Sequence, residues 1–233
     1  MRVPDSVHVL ARDLREVFGA RFRSLVVYRP VAGGRHTLTP TLALVDDLTV
    51  VDLEVCAVRV SAWREAALAP PLLIPAREFQ RSLDTFPFEF GAILADHAVI
   101  VGPSPFDGLH VDEADLRSAS ERQLRSHLLH LREGYLETGG RGSAIADLLA
   151  ASAAPLAGIV ESVARLRRSP AESPAAAARD IEQLVGAPDG ALQRVMALAD
   201  GRAAGTDDAR RMFPAYLDAL ERLTQYVDRW RPE

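Results

Sequence analysis

The 233-residue sequence predicts an α+β protein: a mixed sheet with flanking helices in the first half, followed by an all-α helical bundle. Three observations carry that prediction. Residues 23–45, RSLVVYRPVAGGRHTLTPTLALV, read as strand, glycine-bearing loop and strand. Between about 49 and 101 the apolar pattern alternates between helical and strand periods, and from about 113 onward it is helical throughout. The glycine- and proline-bearing stretch 104–112 separates the two regimes, so the expected domains are residues 1–105 and 106–233.

The elements follow in order. Val7, Leu10, Leu14, Val17 and Phe18 recur at helical spacing ahead of Gly19, which predicts an amphipathic helix over 5–18. Strands are expected at 24–28 and 41–45, with the loop 29–38 between them. The segment 49–68 predicts one valine-rich helix, 72–74 a short strand and 76–83 a short helix. Phe86, Phe88 and Phe90 alternate in a pattern that predicts a strand over 86–92, with Glu89 pointing the other way. A last strand covers 98–101. Helices are then predicted at 113–137, stopped by Gly139-Gly140, at 143–167 with a kink at Pro155, at 174–185 and at 188–199. A final helix opens at Thr206-Asp207-Asp208, is bent or restarted at Pro214 and ends near Trp230.

Composition excludes several classes. The net charge of −5 gives no global positive field to gather nucleic acid or an anionic membrane. All 27 basic residues are arginines, which removes Schiff-base lysines, a P-loop lysine and a Ser-Lys dyad. A single cysteine, Cys56, has no internal partner for a disulfide and reads as a buried thiol, fitting a cytoplasmic protein. The N-terminus has no continuous apolar core of a leader, and the longest apolar stretch, 144–160, is broken by Asp147 and Pro155, so neither secretion nor membrane insertion is expected.

The order helix, strand, glycine loop, strand, helix, strand, with PLLIPAREFQRSLDTFPFEFGAILADHAVIVGPSPFDGL at 71–109 and SERQLRSHLLHLREGYLE opening the helical half, resembles a known bacterial family. These are the nucleotidyltransferase-domain proteins related to kanamycin nucleotidyltransferase and to the minimal nucleotidyltransferases, with a C-terminal helical domain. The resemblance spans most of the chain. It implies a Gly-Ser pair at the end of the first strand and two carboxylates, one residue apart, opening the second and holding divalent metal. Here the first strand ends Tyr28-Arg29-Pro30, and Thr39 and Thr41 stand at the carboxylate positions. A neutral hydroxyl is a poor ligand for a hard cation, so no metal site is expected. Asp47 lies six residues beyond Thr41, roughly 20 Å along an extended strand, and does not replace it. Glu89 has two readings, as a remnant of the family's third carboxylate or as a solvent-facing residue of a one-sided sheet.

Two further readings belong to the loop and the helices. Arg29, Gly33, Gly34 and Arg35, with His36, either hold a nucleotide or small anion through backbone N–H groups and guanidiniums or form a solvated turn. Arg125 and His130 stand in an Arg-x4-His spacing that resembles the ribonuclease motif of HEPN helical proteins. His127 and His130, with Glu133 or Glu137, share a helix flank on which metal ligands or solvated side chains are both possible. The leading expectation is a catalytically degenerate nucleotidyltransferase-like protein serving as a binding or regulatory module, without a cofactor. An active enzyme, using Mg²⁺ and a nucleoside triphosphate to modify a small hydroxylated acceptor, is the first alternative, and the helical-domain ribonuclease the second. Broad apolar faces on the later helices also suggest a homodimer through the helical domain.

Overall fold

The computed structural model describes residues 3–29, 38–169, 173–187, 190–200 and 204–231, which form two compact units that succeed one another at Val111 and Asp112. The boundary falls after 111 rather than at 105 because Phe106, Leu109 and Val111 still pack on a core of the first unit.

In the first unit, α1 (Ser6–Phe18) buries Val7, Leu10, Ala11, Leu14 and Phe18, one stripe of the helix, and stops where Gly19 turns to φ +55. Four strands follow in the chain: β1 (Phe22–Tyr28), β2 (Thr41–Val45), β3 (Leu72–Pro75) and β4 (His97–Val101). They form one sheet of order β3-β2-β1-β4, with β1 antiparallel to β2 and β4 and β2 parallel to β3. All five residues of the central strand β2 are buried, as both faces of the sheet are covered. Leu25, Val27, Ala43 and Val45 pack toward α1, Cys56 and Trp63, whereas Val26, Leu42 and Leu44 meet Phe79, Leu83, Phe90, Ile93 and Phe106 on the opposite face.

Two expected elements are corrected. The segment 49–68 is two short helices, α2 (Val50–Ala57) and α3 (Val60–Glu65), joined by a tight turn at Val58 and Arg59. Its β-branched valines lose side-chain freedom in a helix, and the segment is held at its start by a reciprocal cap between Thr49 and Asp52. After α4 (Ala76–Ser82), residues 87–95 form helix α5 (Pro87–Ala95) instead of a strand. Phenylalanines at i, i+2 and i+4 match the strand period, but Pro87 in the first turn favours the helix. Phe90 is buried at 4% exposure while Phe86 is 51% exposed, so the aromatic residues do not share one face.

Among its described residues the regular elements of the second unit are all helical: α6 (Glu113–Thr138), α7 (Gly142–Leu166), α8 (Pro174–Val185), α9 (Ala191–Met196) and α10 (Thr206–Arg229). Gly139, at φ +57, closes α6 as expected of a left-handed cap. Helix α7 is long and apolar enough by composition to cross a membrane, but it is the central helix of this unit, packed against α6, α8, α9 and α10. Its Ile145, Leu149, Leu156, Val160 and Val163 are at or near zero exposure. The expected helix 188–199 is shorter: α9 begins after Gly190 and tightens into a 3-10 turn at Ala197–Asp200, and Pro188 lies outside the described residues. Helix α10 runs unbroken through Pro214, and its cap is Gly205, with Thr206 as the first helical residue.

Candidate functional site

The ends of β1 and β2 are where the sequence places the site. Thr41, the first residue of β2, pairs with Val27 of β1 and has no exposed surface. Its hydroxyl is buried and makes no hydrogen bond among the described residues. Thr39 is half-buried and held by its backbone: its N–H donates to the Ala67 carbonyl at 2.7 Å, and its carbonyl accepts from Ala69 N–H at 2.9 Å. This bridge continues the parallel pairing of β2 with the segment leading into β3, and Ala67 adopts φ +59 to make it. The strand beside β2 is Leu72-Leu73-Ile74-Pro75, with no ionisable side chain.

Of the glycine-bearing loop 29–38, only residues 29 and 38 are described. Arg29 reaches Asp96 with its Nη2 2.5 Å from Oδ2, and its backbone N–H donates to the Asp96 carbonyl at 3.1 Å. The guanidinium that sequence reading offers to a phosphate is thus paired with a carboxylate at the entry to β4. Gly33, Gly34, Arg35 and His36 lie outside the described residues.

Glu89 does not stand on a strand. It is exposed in the first turn of α5, and α5 packs through Phe90 and Ile93 on the face of the sheet formed by Val26, Leu42 and Leu44. Thr41 has the parity of Ala43 and Val45, which pack on the other face. Glu89 and the Thr41 hydroxyl are therefore carried on opposite sides of the sheet and do not converge. Other acids near β2 are engaged at its far end: Asp46 pairs with Arg23, and Asp47 and Asp52 pair with Arg21. Hydrogen bonds from Arg21, and then from Thr49, hold the Asp52 carboxyl well below the usual carboxylate range despite its burial.

The two threonines offer a divalent cation no charged ligand. One hydroxyl is sealed inside the sheet, a second is half-buried, and neither carries the charge that a hard cation needs. Among the described residues no three His, Cys, Asp or Glu side chains gather as metal ligands would.

In the helical unit Arg125 and His130 diverge. Five residues along a helix turn them about 140° apart. Arg125 pairs with Glu121 and reaches Asp228 of α10, whereas the exposed His130 lines a groove with Leu148, Ala151 and Pro155 of α7. The spacing that resembled a ribonuclease motif does not bring the two side chains together. His127 instead meets Tyr216, with Nε2 2.6 Å from the phenolic oxygen. Burial pushes the His127 pKa down to about 4, with the neighbouring His130 adding to the effect, and burial raises that of Tyr216. The imidazole is neutral at ordinary pH, so the pair is a hydrogen bond that seals α6 against α10. Sequence reading placed His127 on a helix flank but missed its partner, because 89 residues separate them and Tyr216 reads as one more apolar position of α10. The lock of Arg29 on Asp96 was equally invisible, since it depends on β1 and β4 being neighbours.

The class that this architecture defines is the α+β nucleotidyltransferase-like fold, a mixed four-stranded sheet with flanking helices followed by a helical region. Among solved structures, the chain is similar to spectinomycin adenyltransferase AAD(9) from Enterococcus faecialis, determined with ATP and spectinomycin. The match covers 93% of this chain and 98% of that one, with a TM-score of 0.59 and 10% sequence identity. At that identity the likeness carries the fold alone. No protein-family model and no curated protein matches the chain.

Proposed function

We propose that this chain is a catalytically degenerate nucleotidyltransferase-fold protein that works as a binding or regulatory module in the cytoplasm, with a nucleotide or another small anion as its ligand and no metal cofactor. The observation that carries the reading is Thr41, a neutral side chain with no exposed surface at the position where the family resemblance calls for a metal-binding carboxylate. Transfer of a nucleotidyl group develops negative charge on phosphate oxygens, and the fold's usual means of neutralising it is metal held by paired acids. Thr39 and Thr41 supply neither the charge nor, at Thr41, access.

Calorimetric titration of the full chain with ATP, with and without Mg²⁺ or Mn²⁺, tests the proposal. Binding that is absent or indifferent to metal is expected. An affinity that rises tenfold or more with metal and collapses on chelation would overturn it and restore the alternative of an active nucleotidyltransferase.

A further inference from the structure

The last two turns of α10 carry a stripe of aromatic and guanidinium groups. Arg222, Gln225, Tyr226 and Arg229 stand at i, i+3, i+4 and i+7, which puts all four on one side of the helix. With Trp230, where the backbone leaves the helix, and Val185 at the end of α8, they line a groove of about 350 Å³. That lies within the size of small-molecule sites, roughly 300–1,000 Å³. Val185 and Tyr226 are half-buried and pack on the core of the helical unit, so the groove has an apolar base.

The groove also keeps a cation in excess. Arg222 is held in place by donating from Nε to Asp218 at 2.9 Å and from Nη1 to the Gly186 carbonyl at 3.1 Å. The side chain of Arg229 is exposed and has no ion-pair or hydrogen-bond partner among the described residues. Acids on this stretch of α10 are engaged: Asp218 by Arg222, Glu221 by Arg132 and Asp228 by Arg125. Carbonyls at the helix end, which would repel an anion, are engaged too, those of Val227 and Asp228 by Arg117 and those of Asp228 and Trp230 by Arg231.

We propose that this groove binds an aromatic anion, a planar ring carrying a phosphate or a carboxylate, with the ring against Tyr226 and Trp230 and the acidic group paired with Arg229. An inorganic anion would leave both rings unused, and an uncharged ring would leave Arg229 unpaired. Gln225 supplies an amide for ring heteroatoms, and Arg222, about 10 Å from Arg229 along the helix, closes the other end. The inference deepens the proposed function, on which it rests for a small anion as the ligand.

Fluorescence titration of the full chain with AMP and with nicotinate, in EDTA, tests this and separates phosphate from carboxylate. Of the two tryptophans, Trp63 is 2% exposed and hydrogen-bonded to Asp13, so Trp230 is the responsive one. Saturable quenching by at least one of the two is expected. For AMP, the affinity should be at least tenfold above that of adenosine, which has the ring without the charge, and of inorganic phosphate, measured by displacement. Arg229→Gln should weaken binding at least tenfold with unchanged circular dichroism, and Trp230→Leu should weaken it as much by calorimetry. Neither ligand binding at millimolar concentration overturns the proposal, as does adenosine binding as tightly as AMP, or binding that ignores both variants. The two readings fail separately: ATP affinity that rises with Mg²⁺ and ignores Arg229→Gln counts against the degenerate site, whereas metal-independent AMP binding that ignores Arg229 and Trp230 counts against this groove.

Discussion

Thr41 of β2 stands directly across from Val27 of β1, and its buried hydroxyl has no hydrogen-bond partner among the described residues. An unpaired buried hydroxyl costs about 1–3 kcal/mol of desolvation. Valine has nearly the same shape without that cost. Thr41→Val is therefore expected to leave stability unchanged or raise it by about 1 kcal/mol, measured by urea unfolding with an unchanged slope. A loss of that size instead would mean that the hydroxyl has a partner, and the sealed-site argument would fall.

Gly102 ends β4 at φ +76, and a Cβ there would lie 2.0 Å from the Arg23 carbonyl oxygen of β1. Gly108 has a similar φ of +74 but open space around it. The two glycines separate a backbone preference from a collision. Gly108→Ala should cost about 1 kcal/mol, the left-handed penalty alone. Gly102→Ala should cost more than about 3 kcal/mol, since backbone must move to admit the methyl group. Equal losses in chemical denaturation would show that β1 and β4 are not in such close approach.

These two sites also mark where sequence was informative. The periodicity of α1, the two-glycine stop of α6 and the run of apolar residues in α7 are local signals, and each led to the right element. Residues 86–92 went wrong because alternating phenylalanines satisfy a strand on paper, while Pro87 and the packing of Phe90 against Phe79 select a helix. That single change of period also displaced Glu89, the only acid proposed for the site. The positions of Thr39 and Thr41 were legible, but their surroundings were not. Which side of the sheet α1 covers, and which side α5 covers, is decided by contacts among residues far apart in the chain.

The buried pair of His127 and Tyr216 predicts a pH response. His127 has its pKa pushed down to about 4 from an unfolded value of 6.5, chiefly by burial. A histidine so depressed contributes stability that is fully present above about pH 6.5 and is lost as pH falls toward about 4, amounting to at most roughly 3 kcal/mol. His127→Gln, which can still hydrogen-bond the phenol but does not titrate, should flatten this part of the profile. Asp52 acts in a separate, lower window, since its carboxyl is depressed from 3.8 and its contribution fades only below that value. Urea midpoints compared between about pH 7 and about pH 4 give the test. If wild type and His127→Gln decline in parallel, the imidazole is not buried neutral as described.

Restoring acids at the two threonine positions should not restore a metal site. In Thr39→Asp/Thr41→Asp the new carboxylate at 41 replaces a side chain with no exposed surface, among Leu25, Val27, Ala43 and Val45. Burying it there, unpaired, is expected to cost about 3 kcal/mol or more, or to keep it protonated, and a protonated acid does not hold a divalent cation. The acid at 39 is half-buried and should cost far less, so the single variants are expected to differ widely in urea unfolding. Arg29 would remain locked to Asp96, and β3 would still bring no third acid to the neighbouring strand. The double variant should thus bind ATP no better with Mg²⁺ than without it. A gain of metal-dependent binding would show that β2 can open its first residue to solvent, and that two substitutions alone separate this fold from a working metal centre.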